Sequence, residues 1–225
     1  MQKLNNYIQE KLKIGETSFI LEKLKISETS FMLEKLKIGA NTKVRKYNYY
    51  PKNKTELKRI IKKLIKERGN ECDLNDIDIS KIINMDRLFY ESDFNGDISE
   101  WNVSNVTNME QMFMRSKFNG NISNWNVSNV KNMRMMFFKS SFNQNISEWD
   151  VSNVINCEGI FYGNKNFNQN LSKWNLKNCE KANTMFYNSN YNKNLDNMKI
   201  NKDCEMRAMF LDCPLEKNTP IWYHE

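Results

Sequence analysis

The chain has 225 residues, of which 40% are hydrophobic and 12% aromatic, enough for a substantial core and too apolar for a disordered protein. Its net charge of +7 is unevenly placed: residues 1–69 carry 18 Lys and Arg against 7 Asp and Glu, whereas the other 156 residues carry 16 against 20. A basic first third beside a mildly acidic remainder points either to an anionic partner or to docking of one part on the other. No stretch approaches 18 apolar residues, and the opening MQKLNNYIQEKLKIGE lacks the apolar segment of a secretion signal. The expectation is a soluble, cytoplasmic protein without a membrane segment.

Near the start, EKLKIGETSFIL at 10–21 recurs as EKLKISETSFML at 22–33, and EKLKIGANTKV begins a third copy at 34. The alternation Lys23, Leu24, Lys25, Ile26 and Lys35, Leu36, Lys37, Ile38 favours short strands. From Asn53 a helix is expected. Asn53 can cap its start, Glu56 can complete a capping box, and Leu57, Ile60, Ile61, Leu64 and Ile65 fall on one face before Gly69 ends the run. A helix with this apolar face and a lysine-rich back is suited to covering the end of a repeat array, which needs a polar cap.

Residues 70–213 repeat about every 24 residues. One register reads Phe94, Phe118, Phe142, Phe167, Tyr191; another reads Trp101, Trp125, Trp149, Trp174; a third reads Met85, Met109, Met133, Cys157, Ala182, Met206. Four residues after each member of the third comes Phe89, Phe113, Phe137, Phe161, Phe186 and Phe210, so six units are present, the first of them truncated. A unit this short cannot bury its own apolar side chains and must stack on its neighbours, which is the logic of a solenoid. Ile98, Trp101 and Val103 reproduce the L-x-x-L-x-L opening of a leucine-rich repeat and predict a short strand. Met109, Met112 and Phe113, at i, i+3, i+4 spacing, predict a helical turn on the opposite wall.

The polar residues are in register too. Columns such as Asn95, Asn119, Asn143, Asn168, Asn192 and Asp97, Asn121, Asn145, Asn170, Asn194 supply donors and acceptors where buried backbone needs partners. The Trp column sits at an apolar position and is expected to fill the core rather than stack on bases. Two of the five cysteines, Cys157 and Cys179, replace apolar members of the repeat and read as small buried hydrophobes. An odd cysteine count without a close CxxC pair argues against a disulfide framework and against a zinc site.

Signals for chemistry are weak. The lone histidine, His224, lies beside the C-terminus, no Ser or Cys has a nucleophile's context, and seven glycines form no phosphate-cradling motif. Glu100, Glu148 and Asp150 recur at repeat spacing, but Asn124 interrupts the column. The expectation is therefore a protein that is not an enzyme, with no cofactor and no metal.

The run Phe-Asn-x-(Asp/Asn/Gln)-Ile-Ser-x-Trp-(Asn/Asp)-Val-Ser-Asn-Val-x-Asn-Met-x-x-Met-Phe, seen at 94–113, 118–137 and 142–161, resembles the BspA-like leucine-rich-repeat family of bacteria and some large viruses. The resemblance covers about residues 70–213. It implies a right-handed solenoid with short strands and a protein-binding or adhesion role, and carries no catalytic residue over. With it, the fold class reads as an α/β repeat protein: a right-handed leucine-rich-repeat-like solenoid with an N-terminal α+β capping module. Its parts are a basic module (1–52), a capping helix (53–69), six solenoid units (70–213) and a C-terminal tail (214–225).

Partner specificity is expected at the positions the repeat leaves free. On the strand face these are Glu100, Asn102, Asn124, Asn126, Glu148, Asp150, Lys173 and Asn175; on the opposite wall they include Arg115, Arg134, Lys139, Phe138, Tyr162 and Tyr187. Tyr90, Met114, Phe138, Tyr162, Tyr187 and Leu211 form a column that marks a partner site if it faces solvent, whereas the favoured expectation is that it faces inward. The leading expectation is a protein partner whose surface is occupied, with inhibition of a nucleic-acid-handling defence enzyme as one form. The alternative is direct RNA or DNA binding through Lys43, Arg45, Lys46, Lys58, Arg59, Lys62, Lys63 and Lys66, with Tyr47, Tyr49 and Tyr50 interleaved; a third is surface adhesion after export.

Overall fold

The computed structural model describes residues 47–224. The 12-residue repeats, with Lys43, Arg45 and Lys46, lie outside the described residues.

Helix α1 spans Lys54–Arg68 and buries Leu57, Ile61 and Leu64. Its start is fixed as the sequence suggests: the Asn53 side chain accepts from the Glu56 N–H at 3.0 Å. The Glu56 carboxylate reaches back to the Lys52 N–H at 2.7 Å, one residue earlier than in a standard capping box. At the other end Gly69 adopts φ +87° and returns its N–H to the Ile65 carbonyl. Two ion pairs tie the helix down, Lys54 to Asp86 and Arg68 to Asp76. Burial alone would raise the Asp76 carboxyl, but hydrogen bonds from Arg68 and Asn48 hold it below the usual carboxylate range.

Beyond α1 the backbone turns in coils, and each coil lies on the next one repeat later. A ladder of parallel bridges runs Asn84, Asn108, Asn132, Asn156, Lys181, Glu205. Inside, equivalent rings meet face to face. Phe89, Phe113, Phe137, Phe161, Phe186 and Phe210 stack at 5.5–5.8 Å between centroids. Phe94, Phe118, Phe142, Phe167 and Tyr191 form a second stack at 6.1–6.4 Å. Identical residues at identical register meet in the same rotamer, so a fixed period of large rings produces offset stacks that zip the coils together. Trp101, Trp125, Trp149 and Trp174 are buried, as the apolar register requires. Each indole N–H donates to a carbonyl of the preceding coil, at Leu74, Ile98, Ile122 and Ile146 respectively, over 2.9–3.1 Å.

The asparagine columns do the remaining backbone work. The Oδ1 of Asn95, Asn119, Asn143 and Asn168 accepts the backbone N–H of Asn119, Asn143, Asn168 and Asn192 in turn. Asn105, Asn129, Asn153 and Asn178 each donate Nδ2 to a carbonyl of the preceding coil. Asp97, Asn121, Asn145 and Asn170 instead close turns on the N–H two residues on.

The sequence expectation for the two walls needs correction. A strand at the Ile98–Val103 register forms in only one pair of coils, β1 (Asn175–Leu176) with β2 (Lys199–Ile200), in parallel. The turn that closes the Trp101, Trp125 and Trp149 N–H groups on the Ile98, Ile122 and Ile146 carbonyls recurs at Trp174 and Met198 just before β1 and β2, so what room there is for a strand begins only after it. The Met109–Phe113 segment is not helical either; its geometry belongs to the surface described below. The tail also differs from expectation. After a 3-10 helix, Pro214–Lys217, Trp222 falls 24 residues beyond Met198 and donates to the Leu195 carbonyl at 2.8 Å, resuming the Trp register.

Among the described residues, Tyr191 Oη is the only buried side-chain N or O atom without a hydrogen-bond partner. Burial pushes its phenol above the usual range. All other members of its column are Phe. Tyr191→Phe is therefore expected to raise stability by about 1 kcal/mol, by removing an uncompensated desolvation, and a denaturant titration at unchanged m-value reads it.

Candidate functional site

The wall formed by residues 85–92, 109–116, 133–140 and their later equivalents is a ladder of consecutive turns. In the second coil the N–H groups of Met112, Met114 and Ser116 close turns on Met109, Gln111 and Phe113, three residues earlier. The alternate N–H groups, of Met109, Gln111, Phe113 and Arg115, donate to Asn132, Arg134, Met136 and Phe138 of the next coil at 2.8–2.9 Å. This pattern requires two left-handed residues per coil, and they recur in register: Gln111 and Arg115 at φ 54° and 55°, Met135 and Lys139 at 53° and 48°, Gly159 and Gly163 at 59° and 62°. A non-glycine residue there costs on the order of 1 kcal/mol, offset by the continuous ladder.

The turns send Met112 and Phe113 inward and Met114 outward, so each coil places one large residue on the surface. Tyr90 and Leu211 at the two ends are 38% and 41% exposed; Met114, Phe138, Tyr162 and Tyr187 between them are half-buried. The inward orientation favoured from the sequence is thus corrected: the column reaches solvent. Phe138, Tyr162 and Tyr187 stack at 4.6 and 4.7 Å, presenting their edges to solvent as a ribbon. The Lys139 ammonium lies 5.5 Å from the Phe138 ring centre and 5.9 Å from that of Tyr162. Its stem crosses Gly163, where a Cβ would stand 2.8 Å from Lys139 Cγ, so the glycine leaves the path open.

Charges flank the ribbon in compensated pairs. Arg134 bridges Glu110 at 3.1 Å and Glu158 at 3.2 Å across three coils, and Arg115 pairs with Glu91 at 2.9 Å. Beside Tyr187, Asp212 pushes the phenol upward by its charge. The wall residues singled out from sequence, Arg115, Arg134, Lys139, Phe138, Tyr162 and Tyr187, thus lie on one face.

The other expected face is occupied differently. Glu100, Asn102, Asn124, Asn126, Glu148, Asp150 and Lys173 are exposed and Asn175 is half-buried. However, Asn102, Asn126 and Asp150 use their side chains to accept the N–H of Ser104, Ser128 and Ser152 in tight turns. Lys173 pairs with Glu148 at 2.6 Å and holds that carboxyl below its usual range, the opposite of what a general acid needs.

On α1, Lys58, Arg59, Lys62 and Lys66 are exposed, and Lys63 lies 3.9 Å from Glu67. Of the interleaved tyrosines only Tyr50 is well exposed; Tyr49 pairs with Ile77 and sits beneath Arg68. All five cysteines are buried and unbridged, with Cys157 and Cys179 sulfurs 3.3 Å apart. Hydrogen bonding to Cys179 and burial push the Cys157 thiol well up, so it behaves as core. Among the described residues no group of three or more His, Cys, Asp or Glu side chains is arranged to hold a metal ion, and no helix is long and apolar enough to cross a membrane.

A family model described as "Mycoplasma protein of unknown function, DUF285" matches residues 55–141 and again 118–222, two overlapping passes over α1 and the coils. No curated protein and no solved structure matches the chain.

Proposed function

The chain belongs to the family described as Mycoplasma protein of unknown function, DUF285, and on that footing we propose that it is a non-enzymatic binding protein whose turn wall docks a protein partner. The stacked coils are, on this reading, a right-handed leucine-rich-repeat-like solenoid of the BspA-like kind, capped by α1. The observation that carries the proposal is the aromatic ribbon: large side chains repeated at one surface position, rimmed by charges already neutralised among themselves. Interface cores have this composition, rich in aromatic residues and Met and bordered by a polar rim. Docking acts by occupying the partner's surface. Inhibition of a nucleic-acid-handling enzyme is one form of it, motivated by the charge asymmetry of the chain.

The test is capture from cell lysate by the tagged full chain, with and without nuclease and at low and high salt, beside the triple variant Phe138→Ser, Tyr162→Ser, Tyr187→Ser. The expected result is a stoichiometric protein that survives nuclease and salt and is lost from the triple variant, whose melting confirms it is folded. Capture of the same protein by both, or its loss on nuclease treatment, contradicts the proposal; the second outcome moves the function to the lysines of α1 and nucleic acid.

A further inference from the structure

Where α1 meets the first coils, an open depression of about 440 Å³ is lined by Lys58, Arg87, Leu88, Tyr90, Gln111 and Met114. Among the described residues that line it, two are cations and none is a carboxylate. Several neighbouring cations are neutralised directly, as in Lys54–Asp86, Arg68–Asp76, Arg115–Glu91 and Arg134 between Glu110 and Glu158. Among the described residues neither Lys58 nor Arg87 makes an ion pair, and Asp86, next to Arg87 in the chain, is engaged by Lys54. Glu91, next to Tyr90 in the chain, is already engaged by Arg115.

Arg87 is also held in place. Its Nε donates to Gln111 Oε1 at 2.7 Å, and Gln111 is only 7% exposed, so the guanidinium is anchored at one edge and its two terminal nitrogens keep their donors. An anchored guanidinium beside a mobile ammonium is an oxyanion receptor: the fork gives directed hydrogen bonds and the lysine adds charge. Leu88, Tyr90 and Met114 provide an apolar floor, and Tyr90 and Met114 are also the first two members of the aromatic ribbon.

We propose that this depression is an anion site that receives the carboxylate side chain of a protein partner's segment in which one acidic residue is followed by apolar residues lying along the ribbon. The proposal rests on the reading of the wall as a protein-docking surface. Charge complementarity favours a single carboxylate over a nucleic-acid backbone, because a polyanion continuing along the wall would find no run of unengaged cations: Arg115 and Arg134 are already held by Glu91, Glu110 and Glu158. A local anion followed by apolar residues meets Lys58 and Arg87 and then the rings.

The full chain labelled with 15N-arginine reports the site through the Arg87 Nε–Hε resonance, assigned by its disappearance in Arg87→Lys. The probes, at constant ionic strength, are the capped dipeptide N-acetyl-Glu-Leu-amide and a twelve-nucleotide oligothymidylate. The expected result is a saturable shift of Arg87 with the dipeptide, with Arg115 and Arg134 unmoved, weakened about tenfold in Lys58→Gln. A small, unsaturable movement of all the arginines together overturns the proposal, as does saturation by the oligonucleotide without any by the dipeptide. The same titration on Phe138→Ser, Tyr162→Ser, Tyr187→Ser separates the two readings: an Arg87 response that persists there leaves the anion site standing even where protein capture fails.

Discussion

Replacing Trp125 with alanine is expected to lower the free energy of unfolding by about 4 kcal/mol, the range for removing a large buried aromatic, and the melting midpoint by roughly 10 °C. The indole is 3% exposed, stacks on Trp101 at 6.4 Å between centroids, and lies 6.4 Å from the Phe113 ring. Its N–H satisfies the buried Ile98 carbonyl at 3.1 Å. Alanine thus opens a cavity between coils and leaves that carbonyl without this donor. Because each coil touches chiefly its two neighbours, the loss falls on one inter-coil interface, and a repeat array relays such a defect along its length. Trp125→Phe keeps most of the ring volume and gives up the hydrogen bond, so it is expected to cost about 1–2 kcal/mol. A result in which both variants melt with the wild type would place Trp125 outside the core.

Gly96→Ala is expected to destabilise by about 3 kcal/mol despite adding a single methyl group. A Cβ at this position would stand 2.0 Å from the Cys72 carbonyl oxygen and 2.8 Å from the Cys72 nitrogen. Both contacts are backbone, and that backbone is fixed by the Asp97 N–H, which donates to the same carbonyl at 3.1 Å. Relief requires parting the first two coils. Gly120→Ala provides the comparison: its Cβ would meet the Phe118 ring at 2.8 Å and the Gly96 carbonyl at 3.1 Å, a milder conflict that a ring shift relieves. A chemical-denaturation series should rank the wild type most stable, then Gly120→Ala, then Gly96→Ala. Equal stability of the two variants would contradict the local account.

The registers of Phe, Trp and Met were legible in the sequence because stacking leaves a period that a single chain displays openly. The Asn columns were legible for the same reason, since their amides complete a backbone requirement that recurs in every coil. The turn wall was not. Met109, Met112 and Phe113 return to one face in an α-helix and in a chain of turns alike, so their spacing does not separate the two. What separates them is positive φ at Gln111 and Arg115, and those residue types give no sign of it. A faint signal did exist: Gly159 and Gly163, two of only seven glycines, stand four apart at the equivalent positions of one coil. Trp222 was readable by carrying the Trp register one unit past Met198. The depression between Lys58 and Arg87 was not, because it joins a helix and a coil that sequence spacing does not bring together.

The proposed docking role stands or falls on which wall meets the partner. A photo-crosslinking amino acid placed at Tyr162, on the ribbon, and separately at Asn126, on the opposite face, reads this directly in cells. One discrete protein adduct is expected from position 162 and none from position 126. A discrete adduct from 126 alone, or nucleic acid as the species crosslinked at 162, would contradict it.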